Sequence, residues 1–189
     1  QFTDTTFKCL GSHGWIDVKN ALNQSCNIYF YETGRLLGIN RMNDYCTRFG
    51  LGQKTGVEIN ESSGVLAGIA YREAHGGTWY PGDTVQAAIG QSDNLFTPIQ
   101  LCSYVSTIAN GGTRYRAHFV KSVKSSDYSE TLLSNDGVVL NETGVSQNSI
   151  RIVKGGMEML GARLPAFKGL PVKVAAKTGT AERDRKSTR

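Results

Sequence analysis

Pro171-Val172-Lys173-Val174-Ala175-Ala176-Lys177-Thr178-Gly179-Thr180 is a short apolar run that ends on a lysine and a threonine–glycine–threonine triplet. Its β-branched and small residues predict a strand over 171–176 whose end presents Lys177. Ala175, Ala176 and Gly179 leave room for another backbone to approach that edge closely. About 150 residues upstream, Ser25-Cys26-Asn27 stands where one helix hands over to the next. Neither motif says much alone. Ser-x-Asn is common, and its plain reading is a helix end at which Asn27 satisfies loose carbonyls. Lys-Thr-Gly occurs twice, and Lys54-Thr55-Gly56 follows the glycine-rich stretch 49–53, in a loop between elements. That copy is no phosphate loop, because Gln53 occupies the place of the required glycine. Only the copy at Lys177 has a strand behind it.

The intervening chain is helical first and mixed afterwards. Asp17 is placed to cap a short helix carrying Val18, Ala21 and Leu22. A second helix over about 28–37 is expected to bury Tyr29, Phe30, Leu36 and Leu37 and to stop at Gly38. In a third, Met42, Tyr45, Cys46 and Phe49 fall at i, i+3, i+4 and i+7 before Gly50. Residues 50–90 read as turns, with Gly76-Gly77 and Pro81-Gly82 marking loops. Thr97-Pro98-Ile99-Gln100 is the clearest helix start, with a capping threonine, proline at the first turn and glutamine closing the box. Leu101, Tyr104, Val105 and Ile108 then line one predicted face. Beyond Gly112, strands are expected over 115–124 and on both sides of Asn135-Asp136-Gly137, the latter pair as a hairpin. A last helix over about 149–160 precedes the Lys177 strand. These features divide the chain into a mainly helical part over about 1–112 and a mixed part over about 113–189.

The 189 residues suffice for a real core, and 39% hydrophobic with 20% charged residues describes a globular chain rather than a disordered one. A net charge of +5 leaves nucleic acid or an anionic surface open in principle. Yet the basic residues are scattered except over Arg183–Arg189, which reads as a solvated end, so nucleic acid is not expected as a partner. No apolar run approaches the length of a membrane span. Cys9 and His13 form a C-x3-H pair with no second pair to complete a zinc site, and the cysteines read as small buried thiols. No metal or cofactor is expected. His13, in the turn Ser12-His13-Gly14, and His75, in the turn-rich middle, both read as structural.

Order along the chain raises the specificity of these fragments. Ser25-Cys26-Asn27 is followed by Phe49-Gly50-Leu51-Gly52, Thr55-Gly56-Val57-Glu58 and Glu61-x-x-Gly64. Ala88-Ile89-Gly90-Gln91-Ser92, Thr97-Pro98-Ile99-Gln100-Leu101, Ile108-Ala109-Asn110-Gly111-Gly112 and Lys177-Thr178-Gly179-Thr180 come next. Over nearly its whole length this succession resembles the transpeptidase domain of class B penicillin-binding proteins, of the elongation or sporulation type. One signature is missing, since no lysine has a serine three positions before it. The resemblance implies an α+β fold of the β-lactamase/transpeptidase type, here a helical subdomain and part of an antiparallel-sheet subdomain, truncated at both ends.

It also implies a serine acyl-enzyme formed from D-alanyl-D-alanine stem peptides of peptidoglycan, passed to a neighbouring amine and trapped by β-lactams. On this reading the nucleophile lies upstream of Gln1, and the chain alone is expected to be inactive. Ser25 inherits the proton-relay position, and Asn27 that of the amide holding the catalytic lysine and the substrate. Lys177 faces the substrate carboxylate, with Thr178 and Thr180 as hydroxyl donors beside Gly179. The backbone N–H of Thr180 supplies one oxyanion contact. Cys26 is assigned no chemistry. A membrane anchor outside this stretch, an extracytoplasmic location and a polytopic glycosyltransferase partner follow from the resemblance. A β-lactamase or D,D-carboxypeptidase, using water as acceptor, and a β-lactam-sensing receptor domain are the alternatives.

Overall fold

The computed structural model describes residues 6–179. Thr180 and the basic end at 183–189 lie outside them. Asp17 caps helix α1 (Val18–Gln24) through its carboxylate, which accepts the Asn20 N–H at 2.8 Å. The chain leaves α1 through Ser25 in the left-handed region, at φ 51°, and enters α2 (Asn27–Leu37) two residues later. Gly34 lies against Ala88 so closely that a methyl group there would overlap it, and this brings α2 onto α5 (Pro81–Ala87). The second helix therefore packs through Gly34, while Leu36, expected in the core, is 71% exposed. Gly38, at φ 77°, turns the chain into α3 (Ile39–Arg48). Ile39, Ala67 and Ala87 form a buried cluster, with Met42 and Trp79 against it.

The stretch 50–90 holds two short helices where turns were expected, α4 (Ile69–Ala74) and α5. Pro81 is the first residue of α5 rather than a loop marker, its fixed φ suiting that position. The Asp83 carboxylate accepts the Tyr80 N–H at 2.8 Å. Arg72 joins α4 to the rest of this region by ion pairs to Asp93 at 2.6 Å and Asp83 at 3.3 Å.

Helix α6 (Pro98–Ala109) starts as its sequence foretells, with Gln100 N–H on the Thr97 hydroxyl and Thr97 N–H on Gln100 Oε1. Its buried face runs through Gln100, Thr107 and Ile108, so Leu101 and Val105 are exposed instead. Gln100, only 1% exposed, also donates from Nε2 to the carbonyls of Gln53 at 2.6 Å and Ser63 at 2.7 Å. One amide thereby ties the loop after α3 to the entry of α6. Gln100→Ala is expected to lower the unfolding free energy by roughly 2–4 kcal/mol, the cost of leaving such groups unpaired. Denaturant unfolding monitored by far-UV circular dichroism measures it.

The strands make one bent ribbon rather than the expected hairpin about Asn135-Asp136-Gly137. β1 (Thr113–Tyr115) pairs antiparallel with β4 (Val139–Glu142), and β2 (Ser122–Lys124) with β3 (Thr131–Ser134). The reversal lies at 125–130, where the Asp127 carboxylate, held at about 2 by the hydroxyl of Ser125 and by the N–H and hydroxyl of Ser129, organises the turn. Asn135 instead marks the bend, its N–H on the Lys121 carbonyl at 2.8 Å and its side chain bonded to the Val120 carbonyl and to Arg116. With Gly137 at φ 84° the chain turns out of β3 and runs on into β4.

Helix α7 (Gln147–Arg163) opens on Ser146, whose hydroxyl accepts the Ser149 N–H, and lies along α1. Gly156 meets Leu22 and the Lys19 carbonyl. Further along, Gly161 abuts the Val174 carbonyl, and the Ala176 N–H donates to the Met157 carbonyl at 3.0 Å. Residues 171–176 therefore do not form the predicted strand, because a strand needs a ladder partner. Among the described residues both pairs of strands are occupied with each other, and the segment rests on a helix.

Candidate functional site

Ser25 and Lys177 meet because α7 carries both supports, α1 against Gly156 and the 174–176 segment against Met157 and Gly161. The Lys177 ammonium donates to Ser25 Oγ at 2.8 Å and to the Thr178 carbonyl at 2.6 Å. Ser25 Oγ and Thr178 Oγ1 lie 3.2 Å apart. Ser25 accepts from Lys177, so its own hydrogen remains to be given to Thr178 or to a bound group. Lys177 has a third N–H to direct at an anion. Much of its side chain is accessible, but its amine is partly withdrawn from water, and that burial holds its pKa below the ordinary lysine value.

The left-handed backbone at Ser25, unusual for a residue other than glycine, lets its N–H reach the Leu22 carbonyl and that of Cys26 the Ala21 carbonyl. The Ser25 hydroxyl finds its partners outside that helix, in Lys177 and Thr178. Asn27 opens α2 nearby and takes no part in the Lys177–Ser25–Thr178 set. A Cβ at Gly179 would touch nothing within 4 Å, so the site is open on that side. Thr180 lies outside the described residues.

Lys54-Thr55-Gly56 sits in a different setting. Glu61 accepts the N–H and hydroxyl of the buried Thr55 and the N–H of Gly56, at 2.7–2.9 Å. Burial alone would raise the Glu61 carboxyl, but these donors hold it below the usual carboxylate range. Gly64, three residues on, fits so tightly that a Cβ would overlap the Leu95 carbonyl. The motif with its Glu-x-x-Gly is a clasp of the fold. His75 is exposed, its Nδ1 2.8 Å from the Tyr71 carbonyl and its ring centroid 4.2 Å from that of Tyr71, a contact local to the end of α4.

Of the cysteines, Cys102 is exposed and Cys46 half-buried, so the reading as buried thiols holds best for Cys26, at 4% exposed. Cys26 also has company that sequence spacing hid. Its sulfur, the Cys9 sulfur and a ring nitrogen of His13 all lie within 4.8 Å of one another. Burial alone would raise the Cys9 thiol, yet the N–H groups of Gly11, Ile28 and Asn27, together with the Cys26 side chain, hold it below the ordinary thiol value.

Comparison with known proteins converges on one family. The family described as "Penicillin binding protein transpeptidase domain" matches residues 4–189. Peptidoglycan D,D-transpeptidase MrdA of Acinetobacter baumannii is 28% identical over 178 residues, which are 90% of this chain and 26% of the relative. A solved complex between penicillin-binding protein PBP2 and MreC from Helicobacter pylori superposes with a TM-score of 0.79 at 25% identity, over 96% of this chain and 34% of that one. A structure titled as the structural coordination of polymerization and crosslinking by a peptidoglycan synthase complex gives 0.79 at 28% identity, covering 98% and 32%. The chain thus spans about a quarter of the MrdA relative and a third of each solved chain.

Proposed function

The chain belongs to the penicillin-binding protein transpeptidase family, and on that premise we propose that it is the acid–base and carboxylate-binding part of a D,D-transpeptidase that cross-links peptidoglycan stem peptides. The observation that carries this reading is the 2.8 Å bond from Lys177 to Ser25, closed by the Thr178 hydroxyl. The terminal carboxylate of a D-alanyl-D-alanine peptide docks against Lys177 and the threonine hydroxyls, each such charge-assisted contact contributing about 1.5–3 kcal/mol. Its amide carbonyl is then presented to a serine nucleophile whose Ser-x-x-Lys motif is not within these 189 residues. Ser25, polarised by Lys177, passes a proton to the departing nitrogen, while Asn27 orients the nucleophile's lysine and the peptide. The N–H of Thr180 steadies the oxyanion.

The same constellation accepts a β-lactam, whose carboxylate takes the place of the peptide's. Attack by an amine of a neighbouring strand completes the cross-link, and this acceptor separates the proposed enzyme from a β-lactamase, a carboxypeptidase or a sensor. The full protein is held by an anchor at the outer face of the cytoplasmic membrane and works with a polytopic glycosyltransferase. No helix of the described residues is long and apolar enough to cross a membrane.

Ser25→Ala in the full-length protein tests the relay. The rate of covalent labelling by a fluorescent penicillin is expected to fall about 10²–10⁴-fold, the range of general acid–base catalysis. An unchanged rate would remove Ser25 from the mechanism.

A further inference from the structure

Cross-linking joins two peptides, and the Lys177–Ser25–Thr178 set grips the carboxylate end of only one of them. The second, which brings the attacking amine, has to reach the acyl-enzyme from another side. A groove of about 620 Å³ lies between the segment before α1 and helix α2, within the size range of pockets that hold small ligands. Ile28, Tyr29, Glu32 and Leu36 form its α2 wall, placed on one face by the helical repeat. Trp15 and Ile16 stand across from them. One end of the groove lies at the Ser25-Cys26-Asn27 turn, because Cys26 and Ile28 both line it and are the chain neighbours of Ser25 and Asn27.

The walls suit an aliphatic chain. Trp15 is fully exposed on a turn that Gly14 makes at φ 58°, Leu36 is 71% exposed and Ile28 48%. Adjoining apolar surface of this kind marks a binding groove. Ile28 and Leu36 are about 12 Å apart along the helix axis, the reach of about three to four extended residues. Among the described residues the carboxylate of this wall, Glu32, is held by Arg35 at 2.8 and 2.6 Å, so it does not fix an ammonium ion there. An attacking amine has to be uncharged, and withdrawal from water favours that form.

We propose that this groove binds the acceptor stem peptide, its backbone along α2 and its amine-bearing aliphatic arm directed at Ser25. The inference rests on the function proposed above and assigns a place to its second substrate. The neutral amine attacks the acyl carbonyl, so an amide C–N bond forms and the ester bond to the nucleophile breaks. The amine's proton passes through Ser25 Oγ to the departing serine oxygen, the reverse of the path taken when the donor's nitrogen leaves.

The test uses the full-length protein acylated by a thioester analogue of the donor, with stem tripeptides ending in lysine or in diaminopimelate as acceptors. The acyl-enzyme partitions between aminolysis and hydrolysis, and the ratio of the two products does not depend on how fast it formed. Trp15→Ala and Leu36→Ala should each lower that ratio about tenfold at subsaturating acceptor, the loss of one anchoring side chain. Both side chains are exposed, so neither change opens a cavity. Leu133→Ala, on the β2–β3 ribbon, should keep the wild-type ratio. The deficit should shrink as acceptor approaches saturation, because binding rather than the relay is weakened. A deficit that persists at saturation, or wild-type ratios in both groove variants, would overturn the inference. So would a wild type that penicillin labels but whose acyl-enzyme neither tripeptide diverts from hydrolysis. A wild type that penicillin does not label would instead remove the proposed function, and the inference with it.

Discussion

Lys177→Ala in the full-length protein is expected to slow acylation by a fluorescent penicillin about 10²–10⁴-fold, whereas Lys54→Ala should change it less than about twofold. The first figure follows from two charge-assisted contacts, the one to Ser25 and the one proposed to the substrate carboxylate, at about 1.5–3 kcal/mol each. The second reflects an exposed side chain whose motif is held by the Glu61 clasp rather than by its ammonium. Charge and proton position separate further in Lys177→Arg. Burial lowers the Lys177 pKa, so the cation is lost on the alkaline side sooner than for a solvated lysine. Acylation should decline along that limb in the wild type, and the limb should move upward when arginine, which stays protonated, takes the place. An alkaline limb identical in both proteins would assign it to another group, and equal losses from Lys54→Ala and Lys177→Ala would mean that the wrong Lys-Thr-Gly has been placed in the site.

What the sequence discloses depends on whether a residue's partners are close in the chain. The caps at Asp17, Thr97 and Gln100 are local devices and read correctly. So do the extents of α1, α2, α3 and α7 to within a few residues. Burial faces are set by distant neighbours, and Leu36, Leu101 and Val105 show the consequence. A glycine (Gly34) and a glutamine (Gln100) occupy the contacts that hydrophobic periodicity assigned to leucines and a valine. Asn135-Asp136-Gly137 has the composition of a hairpin turn, yet its asparagine bonds to residues 15 and 19 positions away and bends the ribbon instead. Short helices α4 and α5 escaped because glycine and proline mark helix ends as readily as loops.

The candidate site was legible as two motifs and a reason to choose between the copies of one. The bond between Ser25 and Lys177 was not legible, because it spans 152 positions and depends on α7. Nor was the grouping of Cys26 with Cys9 and His13. Cys26 stands in the middle of the Ser-x-Asn motif, and Cys9 and His13 lie 17 and 13 residues earlier in irregular chain, so only the fold brings it to that pair.

The same dependence on α7 gives the largest effect expected far from the chemistry. Gly155 and Gly161 lie in one helix, and alanine at either should favour helix by up to about 1 kcal/mol on propensity alone. Their surroundings differ. A Cβ at Gly155 would meet only the flexible end of Lys19, at an ordinary 3.5 Å. A Cβ at Gly161 would overlap the Val174 carbonyl oxygen, a backbone atom three residues before Lys177. The 174–176 segment must then lift from α7, carrying the Lys177 ammonium away from Ser25 Oγ. A displacement on the order of 1 Å can cost 10²-fold in rate. Gly161→Ala is therefore expected to slow penicillin labelling about 10²-fold with the protein still folded. Gly155→Ala should leave labelling unchanged and raise the melting temperature slightly. Wild-type acylation in Gly161→Ala would show that Lys177 holds its place without α7, and the account of how the fold builds this site would fall with it.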